Sequence, residues 1–163
     1  MTTIMKIQPI CILVLFLAGS CSFNTGDDIM KGKNYYISLD GDDNNPGTSE
    51  KKAWQSIARV NNQDFRPGDK IFFRSGDRFE GTIKLNGEDS GIDLSRIMIS
   101  TYGEGKAVID GGKSEGLIAD SCHYLTIRDL IISGIGRNSG NAANGLLIRN
   151  CNNLELDNLE VTG

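Results

Sequence analysis

The sequence predicts an all-β fold, a parallel β-helix, and three observations carry that prediction. The first is a repeat: GLIADSCHYLTIRDLIISG at 116–134 returns as GLLIRNCNNLELDNLEVTG at 145–163. Gly116 matches Gly145, Cys122 matches Cys151, Leu125 matches Leu154 and Gly134 matches Gly163, each pair 29 residues apart. Self-similarity at such a period marks a stack in which each unit buries its apolar face against the next. The second is the spacing inside each unit, where apolar residues stand two apart, as strands require. Leu125 and Ile127 are followed by Leu130 and Ile132, and one period later Leu154 and Leu156 by Leu159 and Val161. The third is the interruption between those pairs, Arg128-Asp129 and then Asp157-Asn158. Asp and Asn tolerate left-handed backbone and therefore suit a corner. Two strands, a corner and a return one period later describe one rung of a parallel β-helix. Leucine-rich-repeat and helical-repeat spacings do not fit.

Residues 1–20 stand apart from that domain as a signal peptide. Lys6 supplies a short positive start, 10–18 is an unbroken apolar run, and Ala18, Gly19 and Ser20 end it with small residues before Cys21. So short a run cannot span a bilayer but suits the hydrophobic region of a secretory signal. The segment LAGSC resembles the lipobox of bacterial lipoproteins, with Ala18 where that pattern more often has Leu. The resemblance implies lipidation of Cys21 and a membrane partner reached through that anchor. Ser22 is compatible, by the same resemblance, with outer-membrane sorting. The expected location is the bacterial cell envelope, with a plain cleaved signal and secretion as the alternative. Residues 21–33, polar after Cys21, form a tether.

The domain proper is expected over 34–163. Residues 34–39 read as the first strand, and 40–48, DGDDNNPGT, as a dense turn cluster. Ala53, Trp54, Ile57, Ala58 and Val60 recur at helical spacing and predict one short amphipathic helix over 50–62. Placed ahead of the stack, it would cap the apolar end of the first rung. Arg66-Pro67-Gly68-Asp69 turns into a strand at 70–74, Gly76-Asp77 turns again, and 81–85 is a strand with Ile83 and Leu85 on one face. Strands at 96–101 and 107–110 flank a glycine turn, and Ile97 and Ile99 precede Leu125 and Ile127 by 28 residues, so the period extends upstream. Residues 135–144, rich in Gly and Asn, form a loop leaving the stack, where such folds carry specificity. The interval 70–163 makes about three to four rungs at roughly 24–29 residues each, with no C-terminal cap. The chain is therefore expected to be the N-terminal part of a longer β-helix protein.

Composition agrees with one globular domain: 163 residues, 39% apolar, 23% charged, with 20 Gly and only 3 Pro. Without Lys6 and the rest of the leader, 16 basic residues face 21 acidic ones. That balance gives no basic patch and excludes nucleic acid as a partner. Cys122 and Cys151 fall at the same point of consecutive rungs. Stacked strands about 4.8 Å apart bring the Cα atoms within disulfide reach, but parallel Cβ vectors disfavour the bond. Two buried thiols packed as a ladder are expected over a bridge. No zinc spacing is present.

Read in order, YYISLDGDDNNPGT, a short helix, PGDKIFFRSGDRFEGTI and IMISTYGEGKAVIDGG resemble the opening of bacterial right-handed parallel β-helix proteins of the pectate-lyase-like superfamily. The resemblance covers 34–163 and is nearest to secreted polysaccharide lyases, relatives of alginate lyase and chondroitinase B. It implies a polysaccharide partner of the uronate-containing class. It does not separate lyases from hydrolases, epimerases or binding proteins on one scaffold.

Lyase chemistry needs a group that neutralises the sugar carboxylate and a base that removes the α-proton. Candidates are present but no constellation, so the catalytic residues are unknown from sequence. His123 is the lone histidine and aligns with Asn152, which favours a polar corner residue over a base. Arg128 aligns with Asp157 and is expected to form a rung-to-rung ion pair. Asp129 and Asn158 should stack as a polar ladder. Asp40, Asp42 and Asn44 follow the first steps of a calcium loop, but Asn45 replaces its Gly and Lys51 its bidentate Glu. Asp40, Asp42 and Asp43 stay as a weak calcium candidate of another type, calcium being the one cofactor considered, against a polar turn. Trp54 and Tyr102 could stack on sugars, Trp54 being better placed for the core. The expected function is a polysaccharide lyase whose calcium site or Lys/Arg base lies beyond Gly163. A non-catalytic glycan-binding surface protein and an inactive remnant are the alternatives.

Overall fold

The computed structural model describes residues 31–136 and 143–163. The expected signal peptide, Cys21, the tether up to residue 30 and the middle of the 135–144 loop lie outside them. The described residues are all-β with one short helix. Strands β1 (Asn34–Ile37), β2 (Lys70–Arg74), β3 (Arg78–Glu80) and β4 (Ile83–Leu85) open the chain. They are followed by β5 (Ile97–Tyr102), β6 (Ala107–Asp110), β7 (Leu117–Asp120) and β8 (His123–Arg128). Strands β9 (Leu130–Ser133), β10 (Leu146–Arg149), β11 (Asn152–Asp157) and β12 (Glu160–Thr162) complete it.

These strands form three parallel sheets, β1-β2-β5-β8-β11, β3-β6-β9-β12 and β4-β7-β10. The chain visits them in a fixed order: β2, β3, β4, then β5, β6, β7, then β8, β9, β10, then β11 and β12. Each return lies one layer further along, so like residues stack on like. Ile71, Ile99, Ile127 and Leu156 are in register across the first sheet. Phe79, Ile109, Ile132 and Val161 are in register across the second, and Ile83, Leu117 and Leu146 across the third. The inward members of the earlier layers are buried in one core cluster, while Leu156 and Val161 of the last layer stay about half exposed.

The corner residues behave as their chemistry requires. Asp129 and Asn158 occupy left-handed backbone at φ 57° and 49°. A second recurring corner has Ser121 and Asn150 at 62° and 52°, with Tyr124 and Asn153 at 53° and 54°. The repeated glycines answer to crowding. A Cβ on Gly116 would sit 2.7 Å from Ile132 Cγ2, and one on Gly145 would sit 2.6 Å from the Ile132 carbonyl oxygen.

Two expectations are corrected. Each rung has three strands rather than two: β7 and β10 begin just after the repeated Gly116 and Gly145, in line with β4 of the strand expected over 81–85, and β3 lies between the expected turn at 76–77 and that strand. The helix over 50–62 is not formed as one element. A 3₁₀ turn covers Glu50–Lys52, Trp54 makes a parallel bridge to Ile37, and the α-helix α1 spans only Ile57–Asn61. The apparent helical spacing came from two segments with different jobs. Trp54 is buried in a strand-like position, stacked on Tyr35 with ring centroids 4.9 Å apart, while Ala58 is exposed. Asn61, at the end of α1, donates to the Thr82 carbonyl (2.8 Å) and accepts from Lys84 N–H (2.9 Å), occupying edge groups of β4.

Candidate functional site

The first sheet presents a continuous outward face. Because strand side chains alternate, its outward residues form rows across the layers. One row is Tyr36, Phe72 and Ser100; a second is Lys70, Met98, Thr126 and Glu155; a third joins Arg74 to Tyr102. The early layers are aromatic. Tyr36 and Phe72 lie 5.5 Å apart at 30°, and Tyr36 meets Tyr102 edge-on at 5.4 Å. Burial pushes the Tyr102 phenol above its ordinary range, against a hydrogen bond with Ser38.

In the middle layers the face becomes small and hydroxylated. Ser100 and Thr126 are buried beneath larger neighbours. Ser100 Oγ donates to Asp129 Oδ2 (3.3 Å), and Thr126 Oγ1 donates to Glu155 Oε2 (3.2 Å) while accepting from Arg96 Nε (3.0 Å). The later layers are charged. Arg128 lies between Asp129 (2.8 Å) and Asp157 (3.3 Å), and Asn158 Nδ2 donates to Asp129 Oδ1 at 2.8 Å. The Asn158 hydrogen bond holds the Asp129 carboxyl below its usual range, overcoming its partial burial, with Arg128 and Ser100 acting in the same direction. An acid so held stays ionised near neutrality and serves as a hydrogen-bond acceptor rather than a proton donor. Glu155 and Asp157 stand two apart on β11, both outward and exposed. The face therefore offers an aromatic end, a floor of hydroxyls and a rim of fixed charge. That combination suits the alternating C–H and hydroxyl surfaces of a sugar.

The residues singled out from sequence fall in separate places. Arg128 is on this face, opposite Asp157 as expected. His123 opens β8 opposite Asn152. Its backbone N–H donates to Ser90 Oγ at 3.1 Å, and its Nδ1 is buried with no hydrogen-bond partner among the described residues. Asp40, Asp42 and Asp43 turn to different partners. Asp40 pairs with Arg74 at 2.6 Å, Asp42 accepts the Asn44 backbone and side-chain N–H groups, and Asp43 accepts Gln55 N–H, Ser56 N–H and Ser56 Oγ–H. Burial works to raise the Asp43 carboxyl, yet the Ser56 and Gln55 donors bring it below its usual range. Among the described residues no group of three or more His, Cys, Asp or Glu is arranged to hold a metal ion. Trp54 is core, with its indole N–H donated to the Asn45 carbonyl at 2.9 Å, whereas Tyr102 is on the outward face. Cys122 and Cys151 are free thiols, with Cys122 N–H directed at Cys151 Sγ (3.4 Å). Burial pushes the Cys122 thiol up to about 12.

Sequence reasoning passed over Asp89. It is buried, accepts Phe65 N–H (3.3 Å) and Asn86 N–H (3.0 Å), and burial pushes its carboxyl up despite both bonds. The only local signal was a turn-forming NGED stretch, which does not reveal that the turn folds inward.

Three parallel sheets stacked layer on layer define a class of protein, a stacked parallel-strand scaffold. The chain is 31% identical over 144 residues to a lacto-N-biosidase of Bifidobacterium longum subsp. longum, a match covering 85% of this chain and 9% of that protein. It also superposes on the crystal structure of the GH136 lacto-N-biosidase from Eubacterium ramulus, as its selenomethionine derivative, with a TM-score of 0.62 and 25% identity. That likeness covers 80% of this chain and 28% of the other. The native form of the same protein gives a TM-score of 0.61 at 24% identity with equal coverage. No family model matches the chain. The chain thus spans only a small part of the proteins it resembles.

These likenesses correct the expected relationship to pectate-lyase-like polysaccharide lyases and the expected uronate substrate. The similar proteins are named lacto-N-biosidases, not lyases. The glycine turns, Asx corners and paired apolar residues that suggested lyases are demands of the stacked scaffold. They recur whatever chemistry the scaffold carries.

Proposed function

We propose that residues 34–163 are turns of a right-handed parallel β-helix in a glycoside hydrolase that acts on glycans bearing lacto-N-biose. The observation that carries this reading is the 31% identity over 144 residues to a lacto-N-biosidase. The TM-score of 0.62 to a second lacto-N-biosidase supports the fold, and right-handed crossovers are the near-universal rule for parallel strands. The outward face of the first sheet contributes glycan contacts. Arg128 and the β11 carboxylates hydrogen-bond sugar hydroxyls and its aromatic rows cover C–H surface, while the buried Ser100 and Thr126 brace Asp129 and Glu155 from below. Hydrolysis by such enzymes needs a carboxylic acid over the leaving oxygen and a second carboxylate across the ring. Asp129, held ionised, is unsuited to the first of these roles.

The protein carrying this chain is tested with a chromogenic lacto-N-bioside beside alginate, pectate and chondroitin. Release of chromophore with no unsaturated-uronate absorbance from the three polysaccharides is expected; no release from the lacto-N-bioside overturns the reading. Residues 1–20 as a signal, Cys21 as a lipid site and 21–33 as a tether belong to the same proposal. Incorporation of labelled palmitate that disappears in Cys21→Ala is the expected result, and its absence in the unaltered protein removes the anchor.

A further inference from the structure

At the border of the first sheet's outward face, beside the chain's first described residues, lies a basin of about 350 Å³. Lys31, Gly32, Asn34, Gly68, Lys70, Leu94, Ser95 and Arg96 line it, with cations but no carboxylate among them. Its wall is rigid because Gly32 and Gly68 backbones pack so closely that a Cβ on Gly32 would lie 1.8 Å from the Gly68 carbonyl carbon. Arg96 is fixed by Thr126 Oγ1 (3.0 Å) and the Leu125 carbonyl (2.9 Å), so the two lysines supply the movable charge. The nearby Asp69 is buried and committed to Lys33 N–H and Arg66 N–H.

Beside the basin stands a tight turn. Ile92 and Ser95 exchange backbone hydrogen bonds of 3.1 and 3.0 Å, which projects Asp93 and Leu94 at its tip. Leu94 is 92% exposed and Ile92 38% exposed, an apolar point in contact with a cationic hollow. Exposed Leu costs free energy in water, and the basic charge is opposed by Asp93 at the tip and by Glu155, which pairs with Arg96 at 3.8 Å and leaves the two lysines. Apolar tips flanked by Lys and Arg are the chemistry of an interfacial contact: the leucine enters the acyl boundary while the cations meet phosphates. The basin wall also holds Lys31 and Gly32, the first two described residues.

We propose that the basin and the Ile92–Ser95 turn dock on a bilayer surface rich in anionic phosphodiester headgroups. The basin borders the outward face of the first sheet, where Lys70 belongs to both and Arg96 reaches Thr126, but the proposal does not depend on the hydrolase reading. The test uses the full chain carrying Cys21→Ala, so that no covalent lipid contributes, in co-sedimentation with vesicles of phosphatidylcholine with and without phosphatidylglycerol. Binding is expected to the anionic vesicles and to collapse in high salt. Lys70→Glu should weaken it at least about fivefold, since each cation near such a surface is worth about that factor. Leu94→Asp should weaken it as well, whereas Lys84→Glu, an exposed lysine on β4, should not. Circular dichroism melts confirm that each variant folds, and Lys70→Glu alone suffices if Leu94→Asp does not. Equal partition into both vesicle types, or full binding by both basin variants, overturns the proposal. So does retention on soluble polyglutamate with no binding to vesicles.

Discussion

Asp129 joins backbone, rung and charge in one side chain. Its left-handed φ of 57° suits Asp or Asn, and its carboxylate receives Asn158 from the next layer. Asp129→Ala is predicted to destabilise by about 1–2 kcal/mol or more through the left-handed backbone alone. Asp129→Asn keeps that tolerance and should cost under about 1 kcal/mol, because the ion pair with Arg128 is partly exposed and screened by solvent. Chemical denaturation of both variants checks the order. The pH dependence has a definite sign. Asp129, Asp110 and Asp43 all have carboxyls held below the ordinary range, so they stabilise the fold above the unfolded value. That contribution is lost as pH falls through their folded values, below about pH 4. Asp89, raised by burial, has the opposite sign and acts above that window: its contribution grows as pH falls through its raised folded value and is complete below the unfolded one. Thermal midpoints should therefore fall on acidification below about pH 4, and Asp89→Asn should alter the pH response above that point while leaving the fall below it in place. The thiol of Cys122, pushed up to about 12 by burial, should resist iodoacetamide at neutral pH until the protein is denatured. The corner residues were legible in sequence because only a few residue types accept left-handed backbone. Asp89 was not, because nothing local distinguishes an inward carboxylate from an outward one.

At the scale of elements, the strands with strict alternation were legible and the short ones were not. Residues 107–110 match β6, and Ile97 and Ile99 stack on Leu125 and Ile127 as the 28-residue spacing implied. Strand β3 escaped because three residues, one of them apolar, leave no measurable period. The helix over 50–62 failed for a tertiary reason. Trp54 satisfies Tyr36 and Ser38 through backbone bonds of 2.9 Å, and a continuous helix would forfeit those and the Tyr35 stack. Stacking also orders the cost of truncation. Ile127→Ala, fully buried, should lose about 2–5 kcal/mol, while Leu156→Ala, 47% exposed in the same row, should lose well under half of that. Gly116→Ala should cost about 1–3 kcal/mol, since its Cβ would press on Ile132 and the Ser133 carbonyl. Urea titrations of the three variants give the comparison.

For the whole molecule, sequence repetition carried the architecture because each layer must bury its apolar rows on the next. It could not carry the chemistry. A solenoid's repeating residues answer to stacking, whereas its reacting groups are single departures from the repeat, and the family resemblance read from turns and corners pointed to lyases. The likeness to lacto-N-biosidases redirects the reading to water as the second reactant. The two chemistries differ by one water: a hydrolase adds it across the glycosidic bond, its oxygen joining the anomeric carbon, and a lyase eliminates without it. The protein carrying this chain, supplied with a lacto-N-biose-terminated oligosaccharide in water enriched in oxygen-18, is predicted to release a disaccharide bearing one heavy oxygen at its new reducing end. A released product without the heavy oxygen, or an intact substrate, would contradict the account.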